Sequence, residues 1–233
     1  MDTVFWGALV LAIFLVGFTG WRGVPLLVSA LAPGQIKSWF LAATEIDALL
    51  ASTPTAQVLL SQLQALGFDL LGIRAEKVLW RKPTLEVAVA SAAKNAFASI
   101  VLAPNGKAAD IYFYTPLVGG GLVLTRSKTP HPEMENDNTS VKNMPSASVD
   151  QLWTAHTRRG QRFRQRGMRP LAADGPAARL EAAQYYYTTA YAKRVGRATL
   201  RSAPARDFYL ALALVAGMIL IYLWRTIGPG HIG

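Results

Sequence analysis

The chain has 233 residues, no cysteine, 52% hydrophobic and 16% charged residues, and a formal net charge of +10. Without thiols, disulfides, thiolate catalysis and cysteine-ligated zinc are excluded. The balance is apolar for a soluble domain and ordinary for one carrying two membrane spans, and the length leaves room for one domain with its own core.

Residues 3–21 (TVFWGALVLAIFLVGFTGW) carry no charge. At about 1.5 Å per residue they cover the roughly 30 Å hydrocarbon core of a bilayer. They are predicted as a first transmembrane helix, with Trp6 and Trp21 as interfacial aromatics. A cleaved signal peptide is the rival, cut after Ala32. However, Met1 and Asp2 bring no positive n-region, and Pro33 would follow the cut. Residues 22–52 read as an interfacial or juxtamembrane segment. Pro25 and Pro33 interrupt 22–33. In 35–50, Ile36, Trp39, Phe40, Ala43, Ile46 and Leu50 recur at helical spacing, which puts Trp39 toward lipid or toward a core.

Residues 53–128 are predicted as a sheet domain. Thr53 caps a helix that Pro54 begins and Gly67 ends, with Val58, Leu59, Leu63 and Leu66 as its buried stripe. Short apolar runs follow at 68–73, 77–82, 85–91, 97–103, 109–115 and 122–126. Asn105-Gly106 takes positive φ cheaply and predicts a tight hairpin between 97–103 and 109–115. Gly119, Gly120 and Gly121 break the chain before the last run. The fold class expected is α+β: an antiparallel sheet of five to six strands with flanking helices, tethered by an N-terminal and a C-terminal transmembrane helix.

Residues 129–147 are polar, with three prolines, and read as a surface loop. Glu133, Glu135, Asp137 and His131 match no cation-binding spacing, so no metal site is assigned. Residues 148–206 form a basic helical segment. Ser148 and Gln151 have the capping-box spacing. Val149, Leu152, Trp153, His156 and Phe163 follow along one side, with Gly160 and Gly167 as weak points. Pro176 begins another helix, with Leu180, Tyr187 and Tyr191 down one face. Residues 151–206 contain twelve Lys and Arg against Asp174 and Glu181, so the whole charge excess lies here.

Two groups of cations are candidates for binding a membrane surface or a protein partner. One is Arg158, Arg159, Arg162, Arg164, Arg166 and Arg169. The other is Lys193, Arg194, Arg197, Arg201 and Arg206, just before the last apolar stretch. Anionic headgroups attract such residues by about 1 kcal/mol each, and arginine forks suit acidic partners. Nucleic acid is the weaker partner, because no recognisable binding motif accompanies the charge.

Residues 207–225 are predicted as the second transmembrane helix, with Tyr209, Tyr222 and Trp224 at its interfaces. Small residues recur four apart at Ala8 and Ala12 and at Ala213 and Gly217, a spacing that allows close helix approach. The cations flank the connecting domain, while the tails hold a lone arginine, Arg225. Positive residues favour the inside, so the domain is expected in the cytoplasm with both termini outside, at an inner membrane of bacterial type.

No catalytic motif emerges. His131, His156 and His231 have no metal spacing, the glycine triplet lacks the lysine of a phosphate loop, and no cofactor is implied. The reading is a non-catalytic integral-membrane accessory subunit that stabilises a larger respiratory, photosynthetic or transport complex. The alternative is a membrane-tethered module for a small apolar ligand. A lipid-directed hydrolase or transferase is weaker still.

Overall fold

The computed structural model describes residues 2–31, 36–78, 81–103, 105, 107–128 and 132–227. The helices are α1 (Asp2–Leu31), α2 (Ala43–Ala51), α3 (Pro54–Ala65), α4 (Val149–Gln165), α5 (Gly175–Thr188), α6 (Ala190–Leu200) and α7 (Ala203–Ile227). The strands are β1 (Lys37–Phe40), β2 (Phe68–Lys77), β3 (Thr84–Ser91), β4 (Phe97–Leu102), β5 (Ala108–Leu117), β6 (Gly121–Arg126), β7 (Met134–Glu135) and β8 (Thr139–Asn143). The chain divides into two compact units, one of Met1–Gln35 with Gly196–Gly233 and one of Ile36–Val195.

In the first unit α1 and α7 lie against each other in opposite directions. Gly20 and Gly23 make room at one end: a Cβ on Gly23 would stand 2.6 Å from Cβ of Phe208. At the other end Phe5 and Trp6 meet Tyr222, with ring centroids 5.7 and 5.9 Å apart. Ala12, Ala205, Phe208 and Ala211 are buried along the seam, while Val10, Phe14, Phe18, Leu210, Leu214 and Leu220 are exposed. Two stretches, Phe5–Val28 and Ala203–Trp224, are long and apolar enough to cross a membrane, and only 22% and 11% of them are buried. The core helix of a water-soluble domain would be covered on most sides.

The stretch 22–31 is not broken at Pro25 as expected; Ala32 and Pro33 lie outside the described residues. α1 runs through Arg22 and Pro25 to Leu31. Pro25 forfeits one backbone hydrogen bond and the remaining turns keep theirs. Of the small residues expected at the close approach, only Ala12 is buried in the seam. Ala8 and Ala213 are exposed, and a Cβ on Gly217 would meet nothing within 4 Å.

The second unit is one eight-stranded sheet in the order β1-β2-β3-β4-β5-β6-β8-β7. All neighbours are antiparallel except β6 and β8, which run parallel from Leu122↔Thr139 to Arg126↔Asn143. Side chains alternate across it. Val87, Val89, Ile100, Ile111 and Phe113 form one core with Leu60 and Leu63 of α3 and Val149 and Leu152 of α4. Ala90, Phe97, Tyr114, Leu122 and Leu124 form another with Ala182 of α5 and Tyr191 of α6. The sheet is therefore covered on both faces, by α3 and α4 on one and by α5 on the other.

The α+β class stands, but the sheet is larger than five to six strands and is mixed. β1 lies inside the stretch read as a helix over 35–50, so Trp39 sits on an edge strand that pairs with Ala75. That helix is shorter, beginning at Ala43. The supposed loop over 129–147 contains β7 and β8. Of the run expected at 77–82, Lys77 ends β2, and Leu79 and Trp80 lie outside the described residues; β2 accommodates a bulge between Leu70 and Gly72. Gly72 has φ +130°, and a Cβ there would stand 3.2 Å from the Phe40 ring. Thr53 does not cap α3 with its side chain; its hydroxyl donates to the Leu49 carbonyl at 2.8 Å. The buried stripe of α3 is Ala56, Leu60 and Leu63, and Val58 faces outward.

Other local expectations hold. β4 and β5 pair as a hairpin from Phe97↔Tyr114 outward; Pro104 and Gly106 of its turn lie outside the described residues, as does His131. The Ser148 hydroxyl accepts from the Gln151 amide at 3.2 Å and the Gln151 side chain accepts from the Ser148 amide at 2.9 Å. Pro176 opens α5. α4 continues through Gly160, and Gly167, at φ +82°, follows its end.

Candidate functional site

The α5-covered face of the sheet holds a buried charge network. On β3 the residues of that face are Glu86, Ala88 and Ala90, and the two alanines leave space that long polar side chains fill. Glu86 pairs with Arg74 of β2 through a short contact and with Arg179 of α5 at 3.1 Å. Arg179 also donates to Ser99 at 3.2 Å and to the Tyr112 hydroxyl at 2.7 Å. The Tyr112 hydroxyl in turn donates to Glu86. Arg74 continues to Ser38 at 2.9 Å and Glu76 at 2.8 Å, and Tyr187 of α5 donates to Glu76 at 3.0 Å.

Two arginines and two glutamates balance to zero, which is the condition for placing charge in an interior. Burial opposes the Glu86 carboxylate, yet Arg74 and Arg179 hold it below the ordinary carboxylate range. Burial likewise opposes the Arg74 cation, and Glu86 outweighs it, so Arg74 is held above its usual value. Burial, then Glu86, pushes the Tyr112 phenol up. A second pair, Arg126 with Asp110 at 2.5 Å, lies beside it, with Arg126 over the Tyr112 ring at 5.5 Å.

Tyr185 bolts α5 to the β5–β6 turn. Its hydroxyl donates to the Leu117 carbonyl and accepts from the Gly120 amide at 2.6 Å. α5 is thus held by Arg179, Tyr185 and Tyr187, with Ala182 and Ala183 between them. Of the expected face, Tyr187 reaches Glu76 and Tyr191 is buried but belongs to α6, while the buried residues of α5 itself are Arg179, Ala182 and Ala183.

On the opposite face His156 bridges two threonines. The Thr115 hydroxyl donates to the Asn95 carbonyl at 3.2 Å, so it accepts from Nε2–H of His156 at 2.9 Å. The Thr125 hydroxyl accepts from Arg159, so its proton points to Nδ1 of His156 at 2.9 Å. The donor order runs Arg159, Thr125, His156, Thr115, Asn95, and it fixes the neutral Nε2–H tautomer. Burial, reinforced by Arg159, lowers the His156 pKa to about 3. None of its hydrogen-bond partners is a carboxylate, so the geometry of an activated general base is not built here.

Of the cations singled out from sequence, Arg159 is not at the surface. It lies on the buried stripe of α4 with Val149, Leu152, His156 and Phe163, and donates to the Leu124 carbonyl and the Ser140 hydroxyl at 3.3 Å. Its spacing of three after His156 and four before Phe163 is the signal that marks it as inward. Burial lowers its pKa to about 10. Arg158, Arg162, Arg164, Arg166 and Arg169 are exposed on or just after α4, within the sheet unit. Lys193 and Arg194 belong to that unit too, and Arg197, Arg201 and Arg206 to the two-helix unit; all five are exposed. Trp6, Trp21, Tyr209, Tyr222 and Trp224 are exposed aromatics of the two-helix unit.

Beside α4 lies a groove of about 160 Å³ whose lining includes Thr115, Leu117, His156 and Arg164. Cofactor and drug-sized ligand sites occupy about 300–1,000 Å³, so the groove gives no support to a small-ligand module. Among the described residues, no group of three or more His, Asp or Glu is placed to hold a metal ion. Comparison with protein-family models, with curated proteins and with solved structures gave no match.

Proposed function

We propose that this chain is a non-catalytic accessory subunit of a larger integral-membrane complex. α1 and α7 cross the bilayer as an antiparallel pair, the sheet unit stands on the cytoplasmic side of a bacterial-type inner membrane, and both termini lie outside. The observation that carries the reading is the outward surface of the paired helices. Phe14, Phe18, Leu214 and Leu220 are 57–67% exposed, and in water such a surface costs about 25 cal/mol for each Å² left uncovered. Lys193, Arg194, Arg197 and Arg201 precede α7 in sequence and Arg206 lies in its first turn, the placement that sets orientation toward the anionic cytoplasmic leaflet. A complex of respiratory, photosynthetic or transport type would be its partner.

Gentle detergent extraction followed by native separation tests this. The expected result is migration in a high-mass complex, with neighbours captured by crosslinking. Migration as a lone chain at every detergent strength, with no crosslinked neighbour, overturns the docking role. Release from vesicles in alkaline carbonate overturns the membrane anchor itself.

A further inference from the structure

Resting on the bilayer crossing of α1 and α7, we propose that Arg22 and Arg206 hold phosphates of anionic phospholipid at one edge of the helix pair. The first lipid shell of that leaflet is thereby enriched in negative headgroups. The register of the pair sets both arginines at one level. A Cβ on Gly20 would stand 3.2 Å from the Phe208 ring, and one on Gly23 would stand 3.3 Å from the Pro204 carbonyl oxygen. Arg22 lies between those glycines and Arg206 between Pro204 and Phe208. The two therefore fall within about one helical turn, roughly 5.4 Å, along the axis.

The exposed apolar surface ends at the same level. On α1 the large exposed hydrophobics run from Trp6 to Trp21 and then stop until Leu31. From Gly23 to Val28 every residue is buried or half-buried. On α7 Phe208 is buried, and exposed surface begins at Tyr209 and Leu210. Lipid chains therefore cover the pair as far as Trp21 and Tyr209, although α1 itself continues to Leu31. Farther out, α6 is the neighbour of α1: a Cβ on Gly196 would stand 3.3 Å from the Ala30 carbonyl oxygen.

Arg22 and Arg206 are exposed just outside that boundary. Among the described residues no carboxylate pairs with Arg22, and Arg206 has only the neighbouring Asp207, at 4.0 Å. An occupant must lay hydrocarbon against Phe18, Trp21 and Leu210 and present an anion within the next turn. An anionic phospholipid has that order, and guanidinium forks match its phosphate oxygens. A zwitterionic headgroup brings its own ammonium to the phosphate and so gains less. Arg197 and Arg201, exposed in the same unit, add to the positive field farther from the boundary.

The test uses the full chain in phosphatidylcholine vesicles that carry a small fraction of spin-labelled phosphatidylglycerol or spin-labelled phosphatidylcholine. Lipid against the helices appears as the motionally restricted fraction of the spectrum. Phosphatidylglycerol is expected to be preferred about fivefold, the scale of one basic residue at the headgroups. In the double variant Arg22→Gln, Arg206→Gln the preference is expected to fall below about twofold. In Arg225→Gln, beyond the other end of the uncharged stretch, it is expected to stay. Depth is read separately with single labels, since the chain has no cysteine. A label at Phe18→Cys is expected to be accessible to oxygen, and labels at Arg22→Cys and Leu31→Cys to a water-soluble nickel chelate.

Equal restriction of the two lipids, a preference unchanged in the double variant, or an oxygen-accessible label at position 22 overturns the proposal. Release of the chain in alkaline carbonate is a different failure, that of the membrane anchor. A chain that resists carbonate and shows no lipid preference loses only the lipid assignment. A chain that migrates alone yet keeps the preference loses the docking role and retains its lipid shell.

Discussion

Arg179 and Glu86 meet at 3.1 Å across 93 positions of sequence, with side chains 2% and 4% exposed. Glu86 also answers Arg74, so the two glutamates and two arginines do not matter equally. Glu86→Gln leaves two buried cations with Glu76 alone and is expected to cost about 3–5 kcal/mol. Arg179→Met leaves Glu86 paired to Arg74 and costs less, about 1–3 kcal/mol. The double variant returns the site to one arginine and one glutamate. It is expected to be more stable than Glu86→Gln alone. Thermal unfolding of the full chain in detergent micelles reads all three, and a double variant that is the least stable would refute the balance.

The neutral, fully bonded His156 sets an acid response. Its folded pKa, about 3, lies below the ordinary value of 6.5, so the unfolded state binds the extra proton. Its contribution is whole above pH 6.5 and is lost as pH falls toward 3, by about 1.4 kcal/mol per pH unit. The Glu86 carboxylate, also held low, adds its own loss only below its ordinary value of 4.5. Stability measured between pH 6.5 and 4.5 therefore isolates the histidine. The slope in that window should flatten in His156→Leu even though that variant is less stable throughout.

Gly23 and Gly17 lie on one helix with different surroundings. A Cβ at position 23 would press on Phe208, whereas one at position 17 meets nothing within 4 Å. Gly23→Val is expected to part α1 from α7, and Gly17→Ala to leave them paired. Crosslinking between Phe5→Cys and Tyr222→Cys with a short bifunctional maleimide checks this: a high yield in the parent and in Gly17→Ala, and a clearly reduced yield in Gly23→Val.

Orientation is read by labelling single cysteines in sealed vesicles. Asn105→Cys is expected to react only from the cytoplasmic side and Gly230→Cys only from the outside. Reaction of both from one side would contradict the two-span arrangement.

Both apolar helices were legible in sequence because uncharged length is itself the signal. The β4–β5 hairpin and the Ser148 cap were legible through their own local chemistry. β1 was not, because Ile36, Trp39 and Phe40 fit a helical spacing as well as an edge strand, and four residues cannot decide the period. β8 was missed because Thr139, Ser140 and Asn143 are polar yet buried, and its partner β6 runs parallel to it at a distance in sequence. At the charge network, strand alternation alone puts Glu86 on the solvent side of a half-buried strand. Only the covering helix, far along the chain, turns that side into an interior. The clue was available in Ala88 and Ala90, since a water-facing strand rarely keeps its alternate positions so small.

The donor order around the imidazole also has a consequence for whatever enters the groove above it. With one ring nitrogen occupied by Thr115 and the other by Thr125, His156 can offer a visitor only its carbon edge. The imidazole therefore has no nitrogen to spare for passing a proton to a group lying in the groove that it lines.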